Sequence, residues 1–184
     1  VSGTRILREY SCITYAAYGL KGATRFPIEM NVAGARAVIV QHGINDIIHP
    51  VGVEVNRFRP WSDMPTADDL INGVRSLYIT HARKLGLKVY SGTLLPIYGW
   101  RTYNENRDII RMAFNQWIRT APEFDGCVDF DKAVRGHENP KTKHLSELIT
   151  NILKLNKLEA QKLYPNLKKC NLSEMLCECL IGFE

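Results

Sequence analysis

Four residues, Gly43-Ile44-Asn45-Asp46, follow directly on a compact β-branched run and could do chemistry. Acyl transfer needs hydrogen-bond donors aimed at the oxygen that turns negative in the tetrahedral intermediate. An Asn amide at the carboxyl end of a strand supplies such a donor, and Gly43 lets the backbone turn sharply ahead of it. The same four residues also read as a plain strand-to-helix turn with Asp46 capping the next segment. The chain runs on as Asp46-Ile-Ile-His49-Pro50, an Asp-x-x-His pair short enough to arise by chance. That pair nevertheless makes His49 the histidine to check as a base. His42 precedes Gly43 and reads as a pocket histidine by position. His137 and His144 fall in a later loop, with a bland surface reading alongside, and His81 falls in a helical pattern that suggests packing or surface.

A second group is aromatic. Pro96-Ile-Tyr-Gly-Trp-Arg-Thr-Tyr103 holds Tyr98, Trp100 and Arg101, and Trp61 lies in an earlier loop. Flat aromatic faces suit sugar rings or acyl groups, and a few polar anchors fix orientation. Arg101 could anchor a carboxylate or hydroxyl. Equally, the rings could cover the end of a sheet as packing and Arg101 could be solvated.

Stepping from residues to elements, Ala35–Gln41 and Leu87–Thr93 read as buried strands and Cys127–Phe130 as a shorter one. Thr66 to Leu85 reads as a helix, with Thr66 as cap, Asp69 three residues on, Leu70, Val74, Leu77, Tyr78 and His81 at helical spacing, and Gly86 as its stop. Asn104 to Thr120 repeats the pattern through Ile109, Ile110, Phe114, Trp117 and Ile118, and Pro122 stops it. Strand, helix, strand, helix, strand implies crossovers and a parallel sheet covered on both faces. Ligands of such sheets sit outside the carboxyl ends of the strands. That places the functional edge in the loops 43–64, 94–103 and 129–155.

Composition bounds the rest. The 184 residues match one ordinary domain, with 45% hydrophobic and 23% charged residues. The net charge of +5 is mild and forms no basic stripe with interleaved aromatics, so no nucleic-acid partner is expected. The apolar runs are too short to span a membrane. Five cysteines, without a C-x-x-C pair, read as thiols with no shared task, and no metal or organic cofactor is expected. Up to residue 130 Arg outnumbers Lys 12 to 3, and afterwards Lys outnumbers Arg 8 to 1. We read the shift as a tail under different constraint, with domain bounds of 1–165 and a tail at 166–184.

The order of these segments resembles the SGNH (GDSL-type) hydrolase family over roughly residues 1 to 140. Val1-Ser2-Gly3-Thr4-Arg5, a helix-like stretch and then Gly43 to Asp46 match its second and third blocks. Leu70-Ile-Asn-Gly-Val-Arg75, Thr93-Leu-Leu-Pro-Ile97, Asn115-Gln-Trp-Ile118 and Val128-Asp-Phe-Asp131 look like its carbohydrate-associated esterases. The resemblance implies a three-layer α/β/α sandwich of flavodoxin-like form. It also implies an oxyanion hole made by the Gly3 amide and the Asn45 side chain, with His42, Trp61, Tyr98, Trp100 and Arg101 near the substrate.

Two blocks depart from the family. A strand ending in Gly-Asp-Ser, which carries the nucleophile, is expected ahead of Gly3 and is not in these residues. The fold is therefore expected to be truncated at its start, with an open strand edge and self-association. The closing Asp-x-x-His block is best matched by Asn151-Ile-Leu-Lys154, ahead of a final helix at Asn156 to Leu163. Lys154 then stands where the family has its general base and is charged at neutral pH, while Asn151 cannot balance an imidazolium. The expected function is Ser-type hydrolysis of O-acyl esters, such as O-acetyl carbohydrate, with little or no activity in this chain. The alternative is a non-catalytic or carbohydrate-binding relic of the fold.

Overall fold

The computed structural model describes residues 3–10 and 12–134. All but the last three of these fall in one compact unit, Gly3–Asp131. A 3₁₀ turn, Ile13–Tyr18, and helix α1, Gly22–Glu29, lead into strand β1, Ala37–Val40. Helix α2, Ile44–Ile48, follows at once, and a second 3₁₀ turn spans Trp61–Asp63. Helix α3, Ala67–Gly73, a π-helical segment, Val74–Ile79, and helix α4, Thr80–Lys84, form one continuous run into strand β2, Lys88–Gly92. Helix α5, Glu105–Thr120, strand β3, Gly126–Val128, and helix α6, Phe130–Val134, complete the order.

The three strands form a parallel sheet in the order β1-β2-β3, with Val38 opposite Val89 and Ser91 opposite Cys127. The chain is α/β, as its alternation of strand and helix requires. Crossovers between parallel strands are right-handed, and two taken in the same direction along a sheet put their helices on one face. The burial follows this rule. Val40, Val89 and Ser91 on one face are buried, and Val40 and Val89 join Leu70, Val74, Phe114 and Ile118 in the core. On the other face Ile39 is 67% exposed and its partner Tyr90 is half-buried.

The helices begin where their caps dictate. Thr66 Oγ1 accepts the Asp69 N–H at 3.1 Å, and Asp69 Oδ2 accepts the Thr66 N–H at 2.8 Å, closing a capping box with Asp in place of the usual Glu. Asn104 Oδ1 caps α5 through the Arg107 N–H at 2.9 Å. Two expectations are refined. The helix expected over 66–85 contains the π turn, in which the Thr80 N–H reaches back to the Arg75 carbonyl. The buried stripe of α5 is Arg107, Ile110, Arg111, Phe114, Asn115 and Ile118, while Ile109 is 58% exposed.

The polar members of that stripe are paired. Asn115, fully buried, accepts from the Leu94 N–H at 2.7 Å and donates to the Leu94 carbonyl at 2.8 Å. It treats the backbone beyond β2 as a further strand would. Arg111 and Arg119 both reach Asp131 at 2.7 Å, and the Asp131 N–H is held by Thr93 Oγ1 at 2.9 Å. This network ties the carboxyl ends of β2 and β3 to α5.

Candidate functional site

Strand β1 runs into Gly43, whose φ of +120° is a conformation that L side chains rarely adopt. The turn starts α2 at once and carries Asn45 on its first turn. Asn45 Nδ2 donates to the Thr4 carbonyl at 3.1 Å, so the amide side chain lies beside the residue that follows Gly3. An Asn amide has two N–H groups, and among the described residues only one of Asn45's finds an acceptor. His42 meets the same carbonyl through Nε2 at 2.9 Å and the Tyr78 hydroxyl through Nδ1 at 2.7 Å.

These contacts define a tautomer. Burial pushes the Tyr78 phenol well above its ordinary value and lowers His42 to about 4. A neutral imidazole with Nε2–H donating to Thr4 and Nδ1 accepting from the Tyr78 O–H satisfies both contacts. The π segment delivers Tyr78 here, where it stacks on Phe26 at 4.3 Å. Gly22 leaves the room: a Cβ there would lie 1.7 Å from the Tyr78 hydroxyl and 2.8 Å from the His42 ring.

Gly3 is held by its own constraints. Its φ is +80°, a Cβ on it would lie 2.3 Å from the Tyr18 ring, and its carbonyl accepts from the Tyr10 hydroxyl. The next residues are clamped by Asp46, whose carboxylate accepts the Ile6 N–H at 2.7 Å and the Leu7 N–H at 3.0 Å. Asp46 thus does not cap α2 with its side chain. The start of α2 has no side-chain cap, and Asp46 instead ties it to the Gly3 segment. Burial raises its carboxyl to about 6, against the lowering pull of those two amides.

His49 is only 6% exposed and sits edge-on to Tyr10 at 4.6 Å and Tyr15 at 5.2 Å. Its Nε2 has no partner among the described residues, and burial, with Arg5 and Arg59 nearby, lowers the ring to about 3. It is a neutral packed ring and a weak base. The short match to Asp-x-x-His is therefore not an acid-histidine pair: Asp46 is spent on backbone amides. Among the described residues no histidine hydrogen-bonds a serine or a carboxylate.

Trp61 opens the second 3₁₀ turn, and Tyr98, Trp100 and Arg101 lie between β2 and α5. Trp61 is 49% and Tyr98 58% exposed, while Trp100 packs partly against the core. Arg101 is exposed, with its guanidinium 5.1 Å from the Trp100 ring centre. Asn151, Lys154, His137, His144, the final helix and the tail at 166–184 lie outside the described residues.

Several residues that build the site carry no signal in the sequence. Arg5 is almost fully buried, bonding Asp63 at 2.8 Å and lying over the Tyr10 ring at 4.5 Å. Arg107 donates to the Ile47 and Pro50 carbonyls, Arg59 to those of His49 and Ile48, and Thr102 to Ile48 at 3.0 Å. Together they pin the end of α2 and the two residues after it. Their partners are backbone carbonyls distant in sequence, which no spacing reveals. The described residues hold no group of His, Cys, Asp or Glu able to bind a metal ion, and none of their helices is long and apolar enough to cross a membrane. Comparison with protein-family models and with curated proteins gave no match.

Proposed function

We propose that the Gly3 and Asn45 edge receives the carbonyl oxygen of an O-acyl ester, as the oxyanion hole of an SGNH-type hydrolase would. The observation that carries this reading is the Asn45 amide beside the Gly3-Thr4 segment, with one N–H still available at the carboxyl end of β1. An oxyanion is stabilised by preorganised donors because they need no reorientation as charge develops. Here Asp46, Tyr10 and the pair of His42 and Tyr78 hold both sides of the opening still. Trp61, Tyr98 and Trp100 offer flat faces to a sugar or acyl group on the same loops. A three-layer, flavodoxin-like sandwich, with the exposed sheet face covered, belongs to the same proposal.

A second reading, a binding module of the same fold without turnover, is favoured by the histidines. None that is described is poised as a general base, and Lys154 occupies the position of that base in the aligned block. The two readings share the oxyanion site and differ in the nucleophile and base.

Both are tested by adding p-nitrophenyl acetate to the 184-residue protein while recording its amide spectrum. The Gly3 N–H and the Asn45 side-chain amide are expected to shift together, and the shifts to vanish in Asn45→Ala. An unperturbed pair of signals at saturating ester sinks the ester site altogether. Organophosphate-sensitive turnover selects the enzyme, and shifts without turnover select the module.

A further inference from the structure

The arginines divide by partner. Arg5, Arg25, Arg75, Arg83, Arg111 and Arg119 each have a carboxylate at 2.5 to 2.8 Å. Among those with none within ion-pair distance in the described residues are Arg59 and Arg101, on the edge loops, and Arg107, on the first turn of α5. Arg59, Thr102 next to Arg101, and Arg107 all donate to the carbonyls of Ile47, Ile48, His49 and Pro50, which gathers the three arginines around one stretch of backbone. Burial lowers Arg59 and Arg107, and Arg101 adds to the effect on Arg59 as Arg59 does on Arg107. The same patch is short of acceptors: among the described residues Nε of Arg107, Nε of Arg5 and Nε2 of His49 are buried with no hydrogen-bond partner.

Like charges gathered without counter-charge are unfavourable unless something else supplies it. Two of these arginines also lie over indole rings, Arg101 by Trp100 at 5.1 Å and Arg107 by Trp61 at 5.5 Å. A guanidinium offers parallel N–H donors that match a carboxylate, and the rings beside it offer flat walls. Arg107 spends its terminal nitrogens on the Ile47 and Pro50 carbonyls, so it contributes charge. Arg101, exposed and without a hydrogen bond among the described residues, is the one placed to make contact.

We propose that Arg101, backed by Arg59 and Arg107, holds a carboxylate of the ligand against the Trp100 side of the edge, so that the ester taken here is an anionic one. This deepens the ester reading and rests on it for the word ester alone. The carboxylate site itself needs no ester and is tested without one.

The test titrates the 184-residue protein with benzoate and with benzamide, which share size and flat face and differ in charge, following indole fluorescence. Benzoate is expected to bind at least about tenfold more tightly, a difference of about 1.4 kcal/mol, and to weaken as salt is raised. Arg101→Gln, a change at an exposed residue, should bring the two ligands level, while Arg75→Gln, on a paired arginine, should leave the preference intact. Equal binding of the two, no saturable benzoate binding, or a preference that survives Arg101→Gln overturns the proposal. So does inorganic phosphate binding more tightly than benzoate. Failure here with the Gly3 and Asn45 shifts intact removes the carboxylate and keeps the ester site; the converse keeps the carboxylate and removes the ester.

Discussion

At the scale of single residues, polarity and burial are decoupled around the Gly3 edge, and the pH response follows from that. His49 is held neutral, with its ordinary value of 6.5 lowered to about 3. A lowered histidine contributes stability that is fully present above its unfolded value and is lost as pH falls towards its folded one. Asp46 acts the other way: raised from 3.8 to about 6, it adds stability as pH falls through that window. The two are separated by His49→Phe, which keeps a ring between Tyr10 and Tyr15 and leaves Asp46 unchanged. Between pH 7 and about pH 5, urea unfolding should show the parent losing on the order of 1–2 kcal/mol relative to the variant. Parallel pH profiles would mean that His49 is not held neutral. In the sequence, Asn45 and Gly43 were legible because a Gly turn and an amide after a strand have a local signature. Arg5, Tyr10 and the clamp by Asp46 were not, because their partners lie up to 58 positions away.

At the scale of elements, all three strands and both long helices were legible, since apolar spacing and caps are written locally. The π turn was not. Its sequence, Val74 to Ile79, keeps an apolar pattern that an α-helix also satisfies, and the backbone bond from the Thr80 N–H to the Arg75 carbonyl that distinguishes them has no signature in residue types. The buried face of α5 was misjudged for a related reason. Counting apolar residues alone puts Ile109 inside and leaves out Arg107, Arg111 and Asn115, whose burial depends on tertiary partners. Asn115→Leu tests how much such a partner matters: it keeps the bulk but strands the Leu94 N–H, while the Leu94 carbonyl keeps the Arg111 guanidinium at 3.2 Å. A buried group left without a partner costs about 1–3 kcal/mol, so a loss of that size is expected in chemical denaturation. A loss no larger than about 0.5 kcal/mol, as for an ordinary surface change, would show that water takes over the role.

At the scale of the whole described unit, the sheet has one well-packed face and one with exposed apolar side chains. Parallel sheets are ordinarily covered on both faces, and Ile39, at 67% exposure on strand β1, has little cover among the described residues. Self-association was expected from an open strand edge; the structure adds an apolar face to that edge. Ile39→Thr retains β-branching and removes apolar surface. Light scattering should show the parent's average mass rising with concentration and the variant's rising less. Identical curves would mean that this face makes no contact between copies. The α/β class was legible from alternation alone. Which face the helices take was also within reach, because handedness decides it, but how far the other face is bare depends on burial that no local pattern encodes.

The one-way march of the strands has a further geometric consequence. Any strand appended beyond β3 by the same rule would thicken the side already clad, and the naked side would stay so. Cladding it demands that the winding turn back, with a new neighbour on the far flank of β1. Reversals of that kind open a crevice at the strand tips, and the crevice would begin at the tip of Val40, where the chain bends into Gly43.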